Sequence, residues 1–219
     1  MNRTINVRGV GTAKTKPDQV VLSLELNAKD LEYQKAVSLA DEQIGELTAA
    51  LAEAGFEKDA LKTAYFNVNT SYEGYQDEKG IYRQRFDGYV VNHSLRLYFD
   101  FSPEELSKTL SAIAGCNAKP QLNISFTVKD PAGIKAQILR DAARNAREKA
   151  ELLTEASGVR LGRLIGIDYN WGEVNVTSRS RFDVAEDECA MKACAFGANL
   201  TPEDVTSSDS AAFTWELTD

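Results

Sequence analysis

Hydrophobic residues recur at helical spacing between Asp130 and Ser157, and this segment organises our interpretation of the chain. Asp130 and Pro131 form a typical helix start, because aspartate caps free N–H groups and proline has none to leave unpaired. Gly158 ends the pattern, since glycine takes a positive φ without penalty. The apolar stripe consists of Ile134, Ile138, Ala142, Ala146, Ala150, Leu153 and Ala156. Its middle is alanine only, which predicts a helix lying close on a sheet.

Two further helices are predicted from the same spacing. Asp30 to Ala54 forms a long one that ends at Gly55, and Ser102-Pro103 starts a short one with acids in its first turn. The face of the long helix carries Tyr33, Val37, Ala40, Ile44, Leu47 and Leu51. The opposite face is charged, as is ordinary for a surface helix.

The remaining patterned segments alternate between apolar and polar residues, which is typical of half-buried strands. They are Thr4–Val10, Val20–Leu26, Lys62–Tyr72, Ile81–Phe101, Leu122–Val128, Leu164–Ile167 and Ser210–Leu217. We therefore predict an α+β fold, with a mostly antiparallel sheet covered by two long helices and one short helix. Periodicity is poor over 170–209, which we interpret as an irregular excursion from the sheet, with a helical turn as an option at Val184–Phe196.

Six of the eight tyrosines fall between Tyr65 and Tyr98, in two strands that flank a polar hairpin tip at Glu73–Gly80. One interpretation is a surface for a ligand or a partner, because tyrosine combines a large ring with a polar end. The other is the preference of aromatic residues for pleated, half-buried strands. The candidate contact residues are Tyr65, Tyr72, Tyr75, Tyr82 and Tyr89.

Composition excludes several partners. The chain has 219 residues, a formal charge of −8 and a pI of about 4.9. A nucleic-acid surface needs clustered Lys and Arg, and the acidic balance also disfavours an anionic membrane surface. No apolar run approaches the ~20 residues of a transmembrane segment. The chain as given starts without an export signal, so we expect a cytoplasmic protein, or a periplasmic or secreted one if a signal has been removed.

The candidate chemistry is sparse. Gly9-Val10-Gly11 lacks the helix start of a dinucleotide loop, because Lys16-Pro17 follows. The single histidine, His93, lies inside a strand, and three cysteines make no disulfide framework or zinc site. We therefore predict no catalytic residue, no cofactor and no metal, although carboxylates paired only in space remain open.

Taken in order, these residues resemble the SIMPL-domain family. The resemblance is carried by Ile5, Val7, Gly9, Gly11, Pro17-Asp18, Gly55, Lys62-Thr63, Tyr72, Gly88-Tyr89, Leu95, Leu97, Asp100, Phe126, Asp130, Ala142, Ala146, Lys149-Ala150, Leu153, Gly158, Leu161-Gly162 and Leu200-Thr201-Pro202-Glu203. It implies a functionally uncharacterised bacterial protein, mostly periplasmic or secreted, in a family whose members include oxidative-stress proteins and ring-like homo-oligomers. It supplies no catalytic residues. Two features depart from it: the missing export signal and the segment 170–199.

The resulting expectation is one SIMPL-like domain over 1–219, with two subdomains of about 1–100 and 101–219 as the alternative. We expect a non-enzymatic homo-oligomer that associates through the hairpin from Tyr65 to Tyr98, with a stress or envelope role. The alternative is a small-ligand-binding protein or a hydrolase that uses the same hairpin.

Overall fold

The computed structural model describes residues 3–169, 174–184 and 200–219, with side chains as far as 182 in the middle segment. In this part of the chain, strands and helices follow one another in the order β1 Thr4–Thr15, β2 Gln19–Asp30, α1 Tyr33–Glu53, β3 Leu61–Gln76, β4 Tyr82–Asp100, α2 Pro103–Gly115, β5 Gln121–Thr127, α3 Pro131–Ala156, β6 Arg160–Asp168, β7 Thr177–Val184 and β8 Val205–Thr218. Mixed helices and antiparallel strands confirm the α+β class.

The strands form two sheets. One has the order β1-β8-β6 and the other β3-β4-β2-β5-β7. The chain divides into a compact unit of Met1–Asp18, Thr127–Arg179 and Glu203–Asp219, and a second of Gln19–Phe126 and Ser180–Pro202. These units follow a different division from the alternative boundary near residue 100, and the single SIMPL-like domain stays a prediction.

In the first unit, α3 lies against β1 at backbone contact distance. A Cβ placed on Gly9 would lie 2.0 Å from the Ala142 carbonyl oxygen, and one on Gly11 would lie 1.8 Å from that of Ile138. Ala146 is fully buried in the same contact. The predicted close packing of the alanine stripe is therefore confirmed, and it explains the two glycines as space for the helix.

The last turns of that stripe were predicted wrongly. Leu153 is half exposed and Ala156 is exposed, whereas Thr154 is buried. Thr154 continues the four-residue spacing of the buried alanines and donates its hydroxyl to the Ala150 carbonyl at 2.9 Å. The helix therefore packs along a strict i+4 row, which is one of the natural ridges on a helix surface.

The second unit has the larger core. Buried leucines of β2 and β4 meet the apolar faces of α1 and α2, with Phe126 of β5 among them. Ser102 caps α2 as predicted, accepting from the Glu105 N–H at 3.3 Å. The predicted start of α1 at Asp30 was wrong, because β2 continues through Asp30, which pairs with Tyr89.

The irregular excursion over 170–209 is also corrected. β7 is a strand of the larger sheet, and β8 already begins at Val205. β7 was missed because the residue it buries, among its side chains described as far as 182, is the polar Ser178, whose hydroxyl donates to the Glu203 carbonyl at 2.7 Å. The helical turn proposed at 184–196 lies outside the described residues, apart from the backbone of Val184 at the end of β7.

Candidate functional site: an aromatic hairpin arm

The candidate contact tyrosines lie on the hairpin of β3 and β4. β2 pairs with β4 only as far as Asp30 opposite Tyr89. Beyond that point, within the described part of the chain, β3 and β4 pair only with each other, as far as Gln76 opposite Tyr82. We call this two-stranded ribbon, residues 71–88, the hairpin arm. A two-stranded ribbon is marginally stable by itself, so its side chains must supply stabilising contacts.

The turn of the arm is built around Asp77. Its carboxylate accepts the backbone N–H groups of Lys79 and Ile81, both at 3.0 Å, and the Arg83 Nε–H at 2.6 Å. The Arg83 guanidinium and the Ile81 N–H together hold the pKa of Asp77 below its usual value. Gly80 adopts φ +75°, which glycine tolerates best. The turn is therefore shorter than the predicted tip, because Glu73–Gln76 are paired strand residues.

Ion pairs cross the arm and its base. Arg85 donates from both Nε and Nη2 to Glu73, at 3.0 and 2.5 Å, and Glu73 raises the pKa of Arg85. At the base, Lys29 pairs with Asp87, which also accepts the Ser71 hydroxyl at 3.3 Å. The Lys29 ammonium lowers the pKa of Asp87. These ion pairs agree with the register that the backbone pairing of β3 and β4 sets.

Aromatic rings form a continuous row along one face of the hairpin. Tyr72 meets Phe86 edge to face at 6.0 Å between centroids, Phe86 meets Tyr89 at 5.3 Å, and Tyr89 meets Tyr33 of α1 at 5.5 Å. Such edge-to-face contacts add stability beyond area burial. The row connects the exposed arm to the small core cluster of Ala28, Ala36, Ala40 and Val91.

The structure does not bring the five predicted tyrosines together. Tyr82 is 75% exposed and Tyr72 57%, while Tyr89 is only partly exposed and supports the core cluster. Strand alternation places Tyr65 and Tyr75 on the face opposite Tyr72. Tyr65 accepts a hydrogen bond from the Asn67 side-chain nitrogen at 2.6 Å on that face. The arm therefore presents aromatic groups on both sides.

The root of the hairpin contains the single histidine. His93 is 7% exposed, its Nε2 lies 2.9 Å from the Thr63 hydroxyl, and its ring meets Phe66 edge to face. Burial lowers the pKa of His93, and the carboxylates of Asp41 and Glu25 act in the opposite direction. The buried histidine of β4 therefore has a hydrogen-bond partner, Thr63, on the edge strand β3.

Several residues of the arm and of the aromatic contacts near it were missed as site residues by sequence reasoning. They are Phe66, Phe86, Tyr33 and the charged residues Glu73, Asp77, Arg83 and Arg85. The sequence did contain a signal for this pairing. Arg83 and Arg85 are two positions apart, as are Glu73 and Tyr75, which is the spacing of residues on one face of a strand. Placing the turn too early hid that pairing.

Other candidate chemistry is limited to what the described residues show. They contain no group of three or more His, Cys, Asp and Glu placed to hold a metal ion. Cys116 is a free thiol, and Cys189 and Cys194 lie outside the described residues. Three shallow clefts of about 300–330 Å³ lie near α1 and α2, near β2 and α1, and near the start of α3. None of these three is lined by a hairpin tyrosine.

Fold and arm together define an α+β protein with an exposed, ion-paired aromatic hairpin. The SIMPL family, described as a protein of unknown function (DUF541), matches residues 5–215. The chain therefore belongs to the SIMPL family, and the sequence resemblance is confirmed.

Curated relatives are consistent with this membership. The chain is 28% identical over 166 residues to the 26 kDa periplasmic immunogenic proteins of Brucella melitensis biotype 1 and Brucella abortus, which covers 74% of this chain. The match covers 65% of each Brucella protein, which is less than two thirds of its length. The uncharacterized protein YggE of Edwardsiella ictaluri is 24% identical over 193 residues, covering 88% of this chain and 75% of that protein. None of the helices in the described part of the chain has the length and hydrophobicity to cross a bilayer.

Proposed function

We propose that this chain is a non-enzymatic protein that assembles with copies of itself through the hairpin arm. The observation that carries the proposal is the exposure of Tyr72, Tyr75, Tyr82, Ile81 and Phe86 on a two-stranded ribbon. Exposed aromatic groups of this density are typical of contact surfaces, because tyrosine buries a large area at low entropic cost.

The backbone of the arm supports the same proposal. β3 is an edge strand of its sheet, and β4 lacks its β2 neighbour along residues 82–88. Unpaired strand edges favour pairing with another chain. The ion pairs and the Asp77 turn hold the ribbon in one shape before contact, which lowers the entropic cost of association.

We propose the periplasm as the compartment and an envelope or stress role. The names of the two Brucella relatives support the periplasm rather than the cytoplasm. Fractionation of the cells that make the natural gene product tests this proposal, and recovery with the cytoplasmic marker contradicts it.

Light scattering on the intact chain at tens of micromolar tests the assembly. We expect a multimer whose mass falls when Tyr72, Tyr75 and Tyr82 are changed to Ser. Tyr98→Ser is the matched control, since Tyr98 is about as exposed as Tyr75 but lies outside the arm, where β4 pairs with β2. A monomeric intact chain, or a triple variant with unchanged mass, contradicts assembly through the arm.

A further inference from the structure

The two edge strands of the three-stranded sheet, β1 and β6, differ in what contacts their outer backbone. At the β1 edge, side chains of α3 bond to the outer backbone: Asn145 accepts the Val10 N–H at 3.1 Å, and Lys149 donates to the Arg8 carbonyl at 3.3 Å. At the other edge lies β6, which pairs with β8 on one side. Within residues 3–169, 174–184 and 200–219, no strand pairs with its other side.

The uncovered edge carries large apolar side chains. Leu164, Ile165 and Ile167 are 47%, 51% and 57% exposed. Natural edge strands usually carry charges or covers that prevent pairing with another chain. Three exposed aliphatic residues in four positions are the opposite arrangement, and they indicate an edge that another strand covers.

The sequence of β6 is complementary to itself. It reads RLGRLIGID, and an antiparallel copy centred on Leu164 places Gly162 opposite Gly166, and Leu161 opposite Ile167. A two-fold axis perpendicular to a sheet requires one residue to lie opposite itself, and Leu164 meets that requirement. Register shifts against β8 fall between Leu161 and Leu164 and between Leu164 and Gly166, so Leu164 lies between the two irregularities of the strand.

The charges at the two ends of β6 complete the match. In this register Arg160 of one copy lies opposite Asp168 of the other, and the contact occurs twice by symmetry. Both residues are exposed, and neither forms an ion pair within the described part of the chain. The one other charged residue of the strand, Arg163, already pairs with Glu216 at 3.0 Å and would lie opposite Ile165. No like charges face each other.

We propose that β6 is a second self-association surface, which pairs antiparallel with β6 of a second copy about a two-fold axis at Leu164. The result is a continuous six-stranded sheet across the dimer. This contact is isologous and does not involve the hairpin arm, so a chain with both surfaces can build assemblies larger than a dimer.

A charge exchange tests the register. Sedimentation is measured on the intact chain and on the variant with Tyr72, Tyr75 and Tyr82 changed to Ser, each with Arg160→Asp, Asp168→Arg, or both. In the arm variant we expect a dimer that either single reversal weakens about tenfold or more, by replacing two attractive cross-strand pairs with two repulsive ones. The double exchange restores the dimer. Arg140→Asp, an exposed charge reversal on α3, is the control and leaves the dimer unchanged.

The outcomes separate this proposal from that for the arm. An arm variant that is monomeric, or a dimer indifferent to both single reversals, overturns pairing through β6, whatever the arm does. A dimer whose mass is unaffected by the tyrosine changes but follows the charge exchange contradicts the arm and supports β6.

A cross-link supplies an independent readout. With Cys116, Cys189 and Cys194 changed to Ser, Leu164→Cys places two thiols directly opposite each other, at a cross-strand spacing that a disulfide spans. We expect a covalent dimer on mild oxidation. Ile167→Cys is the matched control, because it is similarly exposed but lies six residues, roughly 20 Å, from its own copy in this register. Equal cross-linking of both variants, or none of Leu164→Cys, overturns the proposal.

Discussion

Two regions of the molecule, the α3–β1 contact and the hairpin arm, are stabilised in opposite ways. In the first, glycines and alanines bring two backbones together with no spare volume. In the second, large aromatic and charged side chains hold a ribbon that remains exposed. In this protein the smallest residues carry the tightest structural constraint, while several of the largest ones remain exposed.

The sharpest test of this comparison is Gly11→Ala. Its new Cβ would lie 1.8 Å from a backbone oxygen of α3, so the helix or strand must move. We expect the free energy of unfolding to fall by about 3 kcal/mol or more. Gly45→Ala is the control, because Gly45 lies in α1 with nothing within 4 Å of its Cβ position. It should raise stability by about 0.5–1 kcal/mol. Equal effects in urea unfolding contradict the contact.

Ala146→Leu is the next largest change. It overfills a fully buried position on the helix face, which should cost about 1–3 kcal/mol. Ala156→Leu makes the same change at an exposed position near the helix end, and we expect a shift within about 0.5 kcal/mol. A melting midpoint that is unchanged by Ala146→Leu counts against close packing of α3.

His93 should make the hairpin root sensitive to acid, with a smaller effect. Because burial lowers its folded-state pKa below 6.5, the unfolded chain takes up the proton first as pH falls. The stabilisation from neutral, buried His93 is fully present above pH 6.5. It decreases as the pH falls below 6.5 towards the lowered folded-state pKa. Urea unfolding at pH 7.5 and 5.5 should show a larger loss for the intact chain than for His93→Gln. The same loss in both proteins assigns it to other groups.

The smallest effect is expected in the arm itself. Glu73 and Arg85 are exposed, and surface ion pairs contribute little to stability. Arg85→Ala should leave the melting midpoint unchanged within error. A loss as large as that of Ala146→Leu would remove the contrast between the two regions.

The helices were predictable where their ends are encoded by local chemistry. Asp130 and Pro131 start α3 and Ser102 starts α2, because a cap needs only its own neighbours in sequence. The alanine face was predictable for the same reason, since spacing on one helix is local. The last buried residue of this face, Thr154, was not predictable in the same way, because it depends on the surface against which the helix packs.

What sequence reasoning missed depends on partners distant in the chain. Ser178 is buried because the Glu203 carbonyl accepts its hydroxyl, and no hydrophobic alternation reports that. The predicted first strand of the arm ended too early, at Tyr72 instead of Gln76, because Glu73, read alone, is typical of a polar loop. Only its pairing with Arg85 makes it a strand residue. Of the five predicted contact tyrosines, Tyr89 is only partly exposed, and the division of the others between two faces follows from strand register.

The pairing of β1 with β8 has a consequence for how this protein is made. Asn6 and Thr214, side by side in the sheet, are 208 positions apart in the chain. At synthesis rates of 5–20 residues per second, β1 leaves the ribosome roughly 10–40 s before its partner exists. Folding of this unit is therefore completed only after β8 has been synthesised, and contacts this distant also make it intrinsically slow. A transcript truncated before β8 would yield a chain whose first strand never finds its neighbour.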